Sequence, residues 1–443
     1  MKETGINFKR GVKRMDTAKM DHEICRGVND FLRPDHLMSE ENKMFCETLR
    51  KFVDKEMIPH EDEFDDLWDW TERKENTIIH QIYKKLLIDL GLQKSFVPAP
   101  FGGTGGGSSV DSTARVVEVA RGDFGFACAG FISHWSMASL LIPKPNEVLL
   151  RKFAPLLCGD EINMICSAIT EPHAGGSVED VRLKGSQIKT RARLEGEEWV
   201  INGHKLWPSA YREATLFRVL CAVEGEEFPR NIAQIFVPVD TPGVATSKPY
   251  QKMGASSDTN GDIWFDNVRV PKENRAQQDP EDDLLSVKAN ITLGRFGSAA
   301  FPLGVMKRAY EVFKSYVDNR EIAGMPMKEH GVIVNELGRM AGDLMNAEAY
   351  LYYVADRMDH PEVYGFPWES KNLAIASACQ VTVSDLGWSV VDRAMDMMGS
   401  YGYSREGKME KLMRDMKITQ IVVGGQLLRL TELARYYFGT ETI

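Results

Sequence analysis

What the 443-residue sequence lacks narrows its function first. Its seven cysteines (Cys25, Cys46, Cys128, Cys158, Cys166, Cys221 and Cys379) are scattered, odd in number and form no Cys-x-x-Cys pair. That usage reads as reduced thiols in a cytosol-like compartment, with neither a disulfide framework nor a metal site, and a cytoplasmic protein is expected. Positive charge is in deficit: 54 Lys and Arg against 64 Asp and Glu leave a net charge of −10, which argues against nucleic acid as a partner. No apolar run has membrane-spanning length, so no membrane association is expected. The first residues mix Lys9, Arg10, Lys13 and Arg14 with Glu3, Asp16, Asp21 and Glu23 and have no apolar core, unlike a secretory signal. The glycine-rich stretch Pro98 to Gly107 has no Gly-Lys-Ser/Thr ending and no preceding buried strand, which sets aside a phosphate loop.

What is present is enough chain for two or three domains with a large core, 27% of it charged. Residues 1 to 37 read as an extension. From Ser39, a candidate N-cap, Phe45, Leu49, Phe52, Val53 and Met57 follow helical spacing until Pro59. Further helical patterns cover Ile78 to Leu90, Ser112 to Ala120 and the apolar stretch Phe124 to Ile142, giving a helical domain over 38–160. Over 161–280 the pattern changes to short apolar or alternating runs (Leu216 to Val223, Ile232 to Val239, Asp262 to Val270) separated by turn residues, as in a small β-barrel-like domain. Over 281–443 the helical period returns, with Ile333, Leu337, Met340, Leu344, Ala347, Leu351 and Val354 on one face and similar runs over 285–319, 367–398 and 408–438. Four long amphipathic helices predict a four-helix bundle, with Met395, Met397, Met398, Met409, Met413 and Met416 filling its core. The fold class is therefore mainly α with a β middle domain.

The stretch from Cys166 to Ala210 carries the chemistry. Trp199, Val200 and Ile201 lead into Asn202-Gly203, which is expected to supply the positive φ angles of a two-residue hairpin turn, and His204 to Trp207 run back out. Backbone amides, hydroxyls and an indole at one end suit a flat heteroaromatic ring, whose edge they can hydrogen-bond and whose face Trp207 can cover.

Thr170-Glu171-Pro172 with Ala174-Gly175, then Asn202-Gly203 with Lys205 and Trp207, resembles the middle domain of the acyl-CoA dehydrogenase family of flavoenzymes. Lys252-Met253-Gly254, Ser257-Asp258-Thr259, Phe265 to Pro271, Arg320, Gly399 with Gly402-Tyr403, and Glu410 to Asp415 extend the resemblance over roughly residues 40 to 440. It implies FAD as cofactor, an acyl-CoA as substrate, oxidation of a CH–CH bond, an electron-transfer flavoprotein as electron acceptor, and a homo-oligomer, tetramer or dimer. For the flavin it implies Ser167, Ala168, Ile169 and Thr170 along the pyrimidine edge, with Gly175 and Gly176, Trp207 beside the ring and Ser209 near N5. Pro208 departs from the pattern by removing a backbone donor beside that position. For the adenosine-diphosphate arm, shared with a neighbouring subunit, it implies Arg320, Asp396, Gly399, Ser400, Gly424 and Gln426. Ala323 and Asp396 stand where an aromatic residue and Gln are frequent. For the acyl-CoA it implies Asp258, Arg295 and, near the pocket floor, Glu118; Asn260 replaces a frequent Arg. The glycine loop is expected to shape the substrate side of the flavin.

The proton acceptor is the exception. The family's usual Glu precedes a Gly-Thr pair; here Gln420-Ile421-Val422-Val423-Gly424-Gly425-Gln426 puts Val422 or Val423 there. Some branches place Glu directly before the bundle Arg, where this chain has Gly294, and a third position falls near Phe131, where there is no acid. His134 is close by and is expected to pack or cap. These substitutions leave four readings: dehydrogenation of an activated, alicyclic or branched acyl group with a displaced carboxylate, elimination or decarboxylation, monooxygenation, and a base-less subunit paired with an active paralogue.

Overall fold

The computed structural model describes residues 33–66, 77–105, 107–180, 188–227 and 230–439. The expected extension lies outside them up to residue 32, as do residues 181–187 of the loop that follows Gly176.

The first third is helical. Ser39 starts α1 (Glu40–Phe52) by accepting from Asn42 N at 3.2 Å, and Leu49, Val53 and Met57 are fully buried beneath it and the turns that follow. Then come α2 (Glu61–Asp66), α3 (Ile78–Tyr83), α4 (Ser109–Gly122), α5 (Phe124–Ala138) and α6 (Glu147–Cys158). The corner between α4 and α5 is made by Asp123, whose carboxylate accepts from Gly125 N at 2.9 Å and Phe126 N at 3.2 Å.

Seven strands make one sheet: β1 (Met164–Ala168), β2 (Arg191–Glu195), β3 (Glu198–Leu206), β4 (Ala214–Val223), β5 (Ile232–Pro238), β6 (Val244–Thr246) and β7 (Asp262–Pro271). Their order is β1-β4-β2-β3-β7-β6, with β5 also paired to β4. The expected hairpin at Asn202-Gly203 is not there. The two-residue connection lies between Glu195 and Glu198, where Gly196 has φ 63°, and β3 runs straight through Asn202-Gly203 with a register shift against β7. Gly203 is required by proximity: a Cβ on it would come within 2.5 Å of Thr190 Oγ1.

The last part is the bundle of α7 (Pro280–Ser298), α8 (Ala300–Asn319), α9 (Gly331–Asp359), α10 (Pro361–Tyr364), α11 (Ser370–Met398), α12 (Met409–Thr419) and α13 (Gly425–Phe438), with the short hairpin β8 (Glu321–Ile322) and β9 (Met325–Pro326). Two expected helices are interrupted. The run 285–319 breaks at Ala299, and 408–438 breaks at Gln420 to Gly424, because Val423, Gly424 and Gly425 take φ of 53°, 84° and 73°. Met398, Met409 and Met416 are buried in the core, with Met395, Met397 and Met413 packed against it. The segment Ser370–Tyr401 is in fact long and apolar enough, by composition, to cross a membrane, but 61% of its most apolar window is buried inside the protein, as in a core helix.

One buried cation ties the three parts together. Lys411 on α12 binds Asp123 at 2.8 Å and Asp415 at 2.6 Å, while Asp415 also accepts from Ala255 N at 2.6 Å. The Glu410 to Asp415 motif thereby fixes the loop carrying Ser257 and Asp258 against the start of α5.

Candidate active site

The strand end after β1 is held by a wholly buried ion pair. Lys205 Nζ lies 2.7 Å from Glu171 Oε1 and donates to Ile169 O at 2.9 Å, and Glu171 also accepts from Lys189 N and Thr190 N at 2.7 and 3.0 Å. Burial pushes the Glu171 carboxyl up, but Lys205 and the two amides outweigh it and hold the group below its ordinary value. Leu206 N donates to Thr170 O at 2.9 Å, so Thr170 and Trp207 are brought side by side. Trp207 takes φ 63°, is half exposed and packs on Tyr250 with ring centroids 4.4 Å apart.

These residues border a cavity of about 620 Å³ between the sheet, α5 and the bundle. Of the residues expected to meet the cofactor, Ser167, Ile169, Thr170, Gly175, Gly176, Trp207, Ser209 and Gly424 line it. The Ser209 hydroxyl sits 3.4 Å from Asn260 Nδ2 and 3.5 Å from Cys128 Sγ, and burial followed by the charge of Asp258 keeps that thiol protonated, with a pKa of about 12. Phe131, Trp135 and Phe301 supply an apolar wall.

The other expected residues lie elsewhere. Ala168 is fully buried behind the wall, and Gln426 turns to Asp385, donating at 2.5 Å. Arg320, Asp396, Gly399 and Ser400 are exposed on the bundle and do not border the cavity of their own chain. Glu118 is no pocket floor: it is buried between Arg50 at 2.8 Å and Arg121 at 3.4 Å. Arg295 does not line the cavity either, being fully buried just behind Gly424 and bonded to Ser377 Oγ at 3.0 Å and to Glu432. Asp258 does line it, with Oδ1 accepting from Ala210 N at 2.8 Å. No described residue of the glycine loop lines the cavity; Gly102 instead packs beside Cys158.

None of the three positions where a base is expected holds one. Val422 and Val423 border the cavity as aliphatic groups. Gly294 borders it too, but a Cβ there would come within 1.9 Å of Trp135. His134 stacks on Phe96 at 4.6 Å, and burial, helped by Arg115, lowers its pKa to about 4, so it is neutral packing. Of the lining residues only Asp258 and Glu179 are carboxylic acids. Glu179 was missed in the sequence, where its one signal is an acid three residues after Gly176. Burial raises its pKa, against Arg295, Arg429 and Arg218.

Comparison with known proteins agrees with this architecture. Residues 39–161 match the acyl-CoA dehydrogenase N-terminal domain, 166–268 the middle domain and 284–436 the C-terminal domain. Cyclohexane-1-carbonyl-CoA dehydrogenase of Syntrophus aciditrophicus is 27% identical over 90% of this chain and 96% of its own length. Butyryl-CoA dehydrogenase of Megasphaera elsdenii shares the fold with a TM-score of 0.79 at 23% identity, over 90% of this chain and 99% of that one. An acyl-CoA dehydrogenase of Bacillus anthracis, solved with FAD, also has a TM-score of 0.79 at 23% identity, over 91% of this chain and 68% of that one. With its helical domain, sheet and bundle each matched in order, the chain belongs to the acyl-CoA dehydrogenase family.

Proposed function

We propose that the protein is an FAD-dependent oxidoreductase that introduces an α,β double bond into an acyl-CoA thioester. The observation that carries this reading is the cavity wall on which Thr170, Trp207 and Ser209 converge beside an apolar chamber. The donor set fits a flavin ring. Ser209 reaches Asn260 and Cys128 only at 3.4 and 3.5 Å and donates to Asp258, so its hydroxyl oxygen keeps accepting capacity, and Gly176 lies so close to Gly424 that a Cβ would come within 2.9 Å of the Gly424 Cα, so no side chain fills that edge. When bound, FAD supplies a two-electron acceptor for the β-hydride.

Ser167, Ile169, Thr170, Gly175, Gly176, Trp207 and Ser209 would hold the ring. The chamber formed by Phe131, Trp135, Phe301 and Ile421 suits a compact acyl group, branched or alicyclic. The proton acceptor is non-standard, since valines and a glycine occupy the usual positions. Arg320, Asp396, Gly399 and Ser400 are exposed outside their own cavity and would hold the diphosphate arm of a second copy's FAD, in a dimer or tetramer. An electron-transfer flavoprotein would reoxidise the flavin.

The purified protein is expected to carry FAD and to bleach anaerobically with butyryl-CoA or cyclohexanecarbonyl-CoA. A flavin band untouched by a panel of straight, branched, alicyclic and dicarboxylic thioesters would refute the reading. Arg320→Ala is expected to lose flavin without losing the fold.

A further inference from the structure

We propose that the Glu179 carboxylate is the general base that removes the α-proton of the thioester, an assignment that rests on the acyl-CoA oxidation reading. The geometry brings it beside the segment that holds Val422 and Val423, but delivers it from another part of the chain. A Cβ built on Gly424, the residue directly after Val423, would lie 3.2 Å from Glu179 Oε2. Glu179 therefore meets the cavity at the corner formed by Val422, Val423 and Gly424, reaching it from the loop after β1. Gly176 makes this approach possible by packing against the Gly424 backbone.

The carboxylate is also incompletely satisfied. It is 6% exposed, borders the cavity, and its Oε2 has no hydrogen-bond partner among the described residues. Asp258, the other acid in the lining, is engaged by the Ala210 amide and by the Ser209 and Asn260 side chains. An unsatisfied buried carboxylate costs stability, so its persistence calls for a compensating group or a role. Compensation here is partial: Arg295 Nη2 is 3.8 Å away, beyond hydrogen-bonding distance, and Arg295 is already engaged by Glu432 and Ser377. The charges of Arg429 on α13 and Arg218 on β4 also favour its ionised form. The neighbouring Asp180 is fixed to Arg435 at 2.8 Å, which anchors the loop to α13. The result is a buried, positioned carboxylate whose proton affinity burial raises.

In the reaction the α-C–H bond breaks and its proton passes to Glu179. Its electron pair would become the second bond between Cα and Cβ as the β-hydrogen leaves with its own pair, for which FAD held by Thr170, Trp207 and Ser209 would supply the two-electron acceptor.

The test uses the FAD-loaded enzyme with butyryl-CoA and cyclohexanecarbonyl-CoA, following flavin bleaching and exchange of the α-hydrogen in deuterated water. Glu179→Gln is expected to slow both by about 10²–10⁴-fold, with flavin content and thioester affinity retained and the acid limb of the pH profile abolished. Glu179→Asp keeps that limb at an intermediate rate, and Val423→Glu added to Glu179→Gln recovers part of the loss. A Glu179→Gln enzyme within about threefold of the wild type, one that retains the acid limb, or one that merely sheds flavin overturns the proposal while leaving the oxidation reading in place. If the Gln variant does not fold, a Glu179→Asp enzyme with wild-type rate and unshifted limb overturns it. A wild type that no thioester bleaches defeats the oxidation reading itself, and the assignment with it.

Discussion

Trp135 and Gly294 exclude each other's substituents: a Cβ on Gly294 would lie 1.9 Å from Trp135 Cζ2, so the indole fills the space that a side chain at 294 would need. Trp135 is fixed there, its Nε1 donating to Asn290 O on the same helix as Gly294. The absence of an acid at 294 is thus a packing arrangement of this chain, and adding one does not by itself create a base.

Gly294→Ala is expected to destabilise the protein by about 1–3 kcal/mol through overpacking. Adding Trp135→Leu should return part of that loss. Urea unfolding of the single and double variants measures both, and a silent Gly294→Ala would contradict the close approach.

Glu171 and Lys205 form a buried pair at 2.7 Å, so removing either partner strands a charge. Glu171→Gln or Lys205→Met should each cost about 3–5 kcal/mol, with the double substitution costing less than the sum. Because the folded Glu171 sits below its ordinary value, its contribution is present above the unfolded carboxyl pKa and fades as pH falls through the folded one. A pH series of unfolding midpoints for the wild type and Glu171→Gln checks that sign.

Lys411 is buried between Asp123 and Asp415. Burial lowers its pKa, but the two carboxylates outweigh burial and leave it raised, so the contribution is fully present at neutral pH and is lost only as pH rises beyond the ordinary lysine range. Lys411→Met should cost about 3–5 kcal/mol. Because the Ala255 to Asp258 loop loosens with it, KM for the thioester should rise more than flavin content falls.

His134 has its pKa lowered to about 4 by burial and Arg115, so the unfolded chain binds the proton more readily below neutral pH. Stability should therefore fall as pH drops from about 6.5 toward the folded value. His134→Gln should flatten that slope, and leave bleaching by thioesters intact, since His134 does not line the cavity. Unfolding midpoints at pH 7.5 and pH 5 for both proteins give the comparison.

Signals that act over a few residues were legible in the sequence. The Ser39 cap, the face of α9 from Ile333 to Val354, and the short apolar runs of β4, β5 and β7 all stand where spacing put them. The hairpin at Asn202-Gly203 was misplaced because glycine serves two ends: Gly196 supplies the positive φ, while Gly203 yields space to Thr190. The unbroken final helix was misjudged because its period continues on both sides of Val423 to Gly425, whose left-handed backbone ends one helix and starts another.

The sequence by itself determined the family, the three-part order and many of the residues that line the cavity, since these depend on local periodicity and on motifs read in order. Only the tertiary structure decided which expected residues share a cavity. It withdrew Glu118 and Arg295 into buried ion pairs, left Arg320 and Asp396 on the outer bundle, and brought Glu179 to Gly424. The physical reason is that a side chain's chemistry is set by what the folded chain packs around it, and the loop after β1 meets the α12–α13 break only once sheet and bundle have docked.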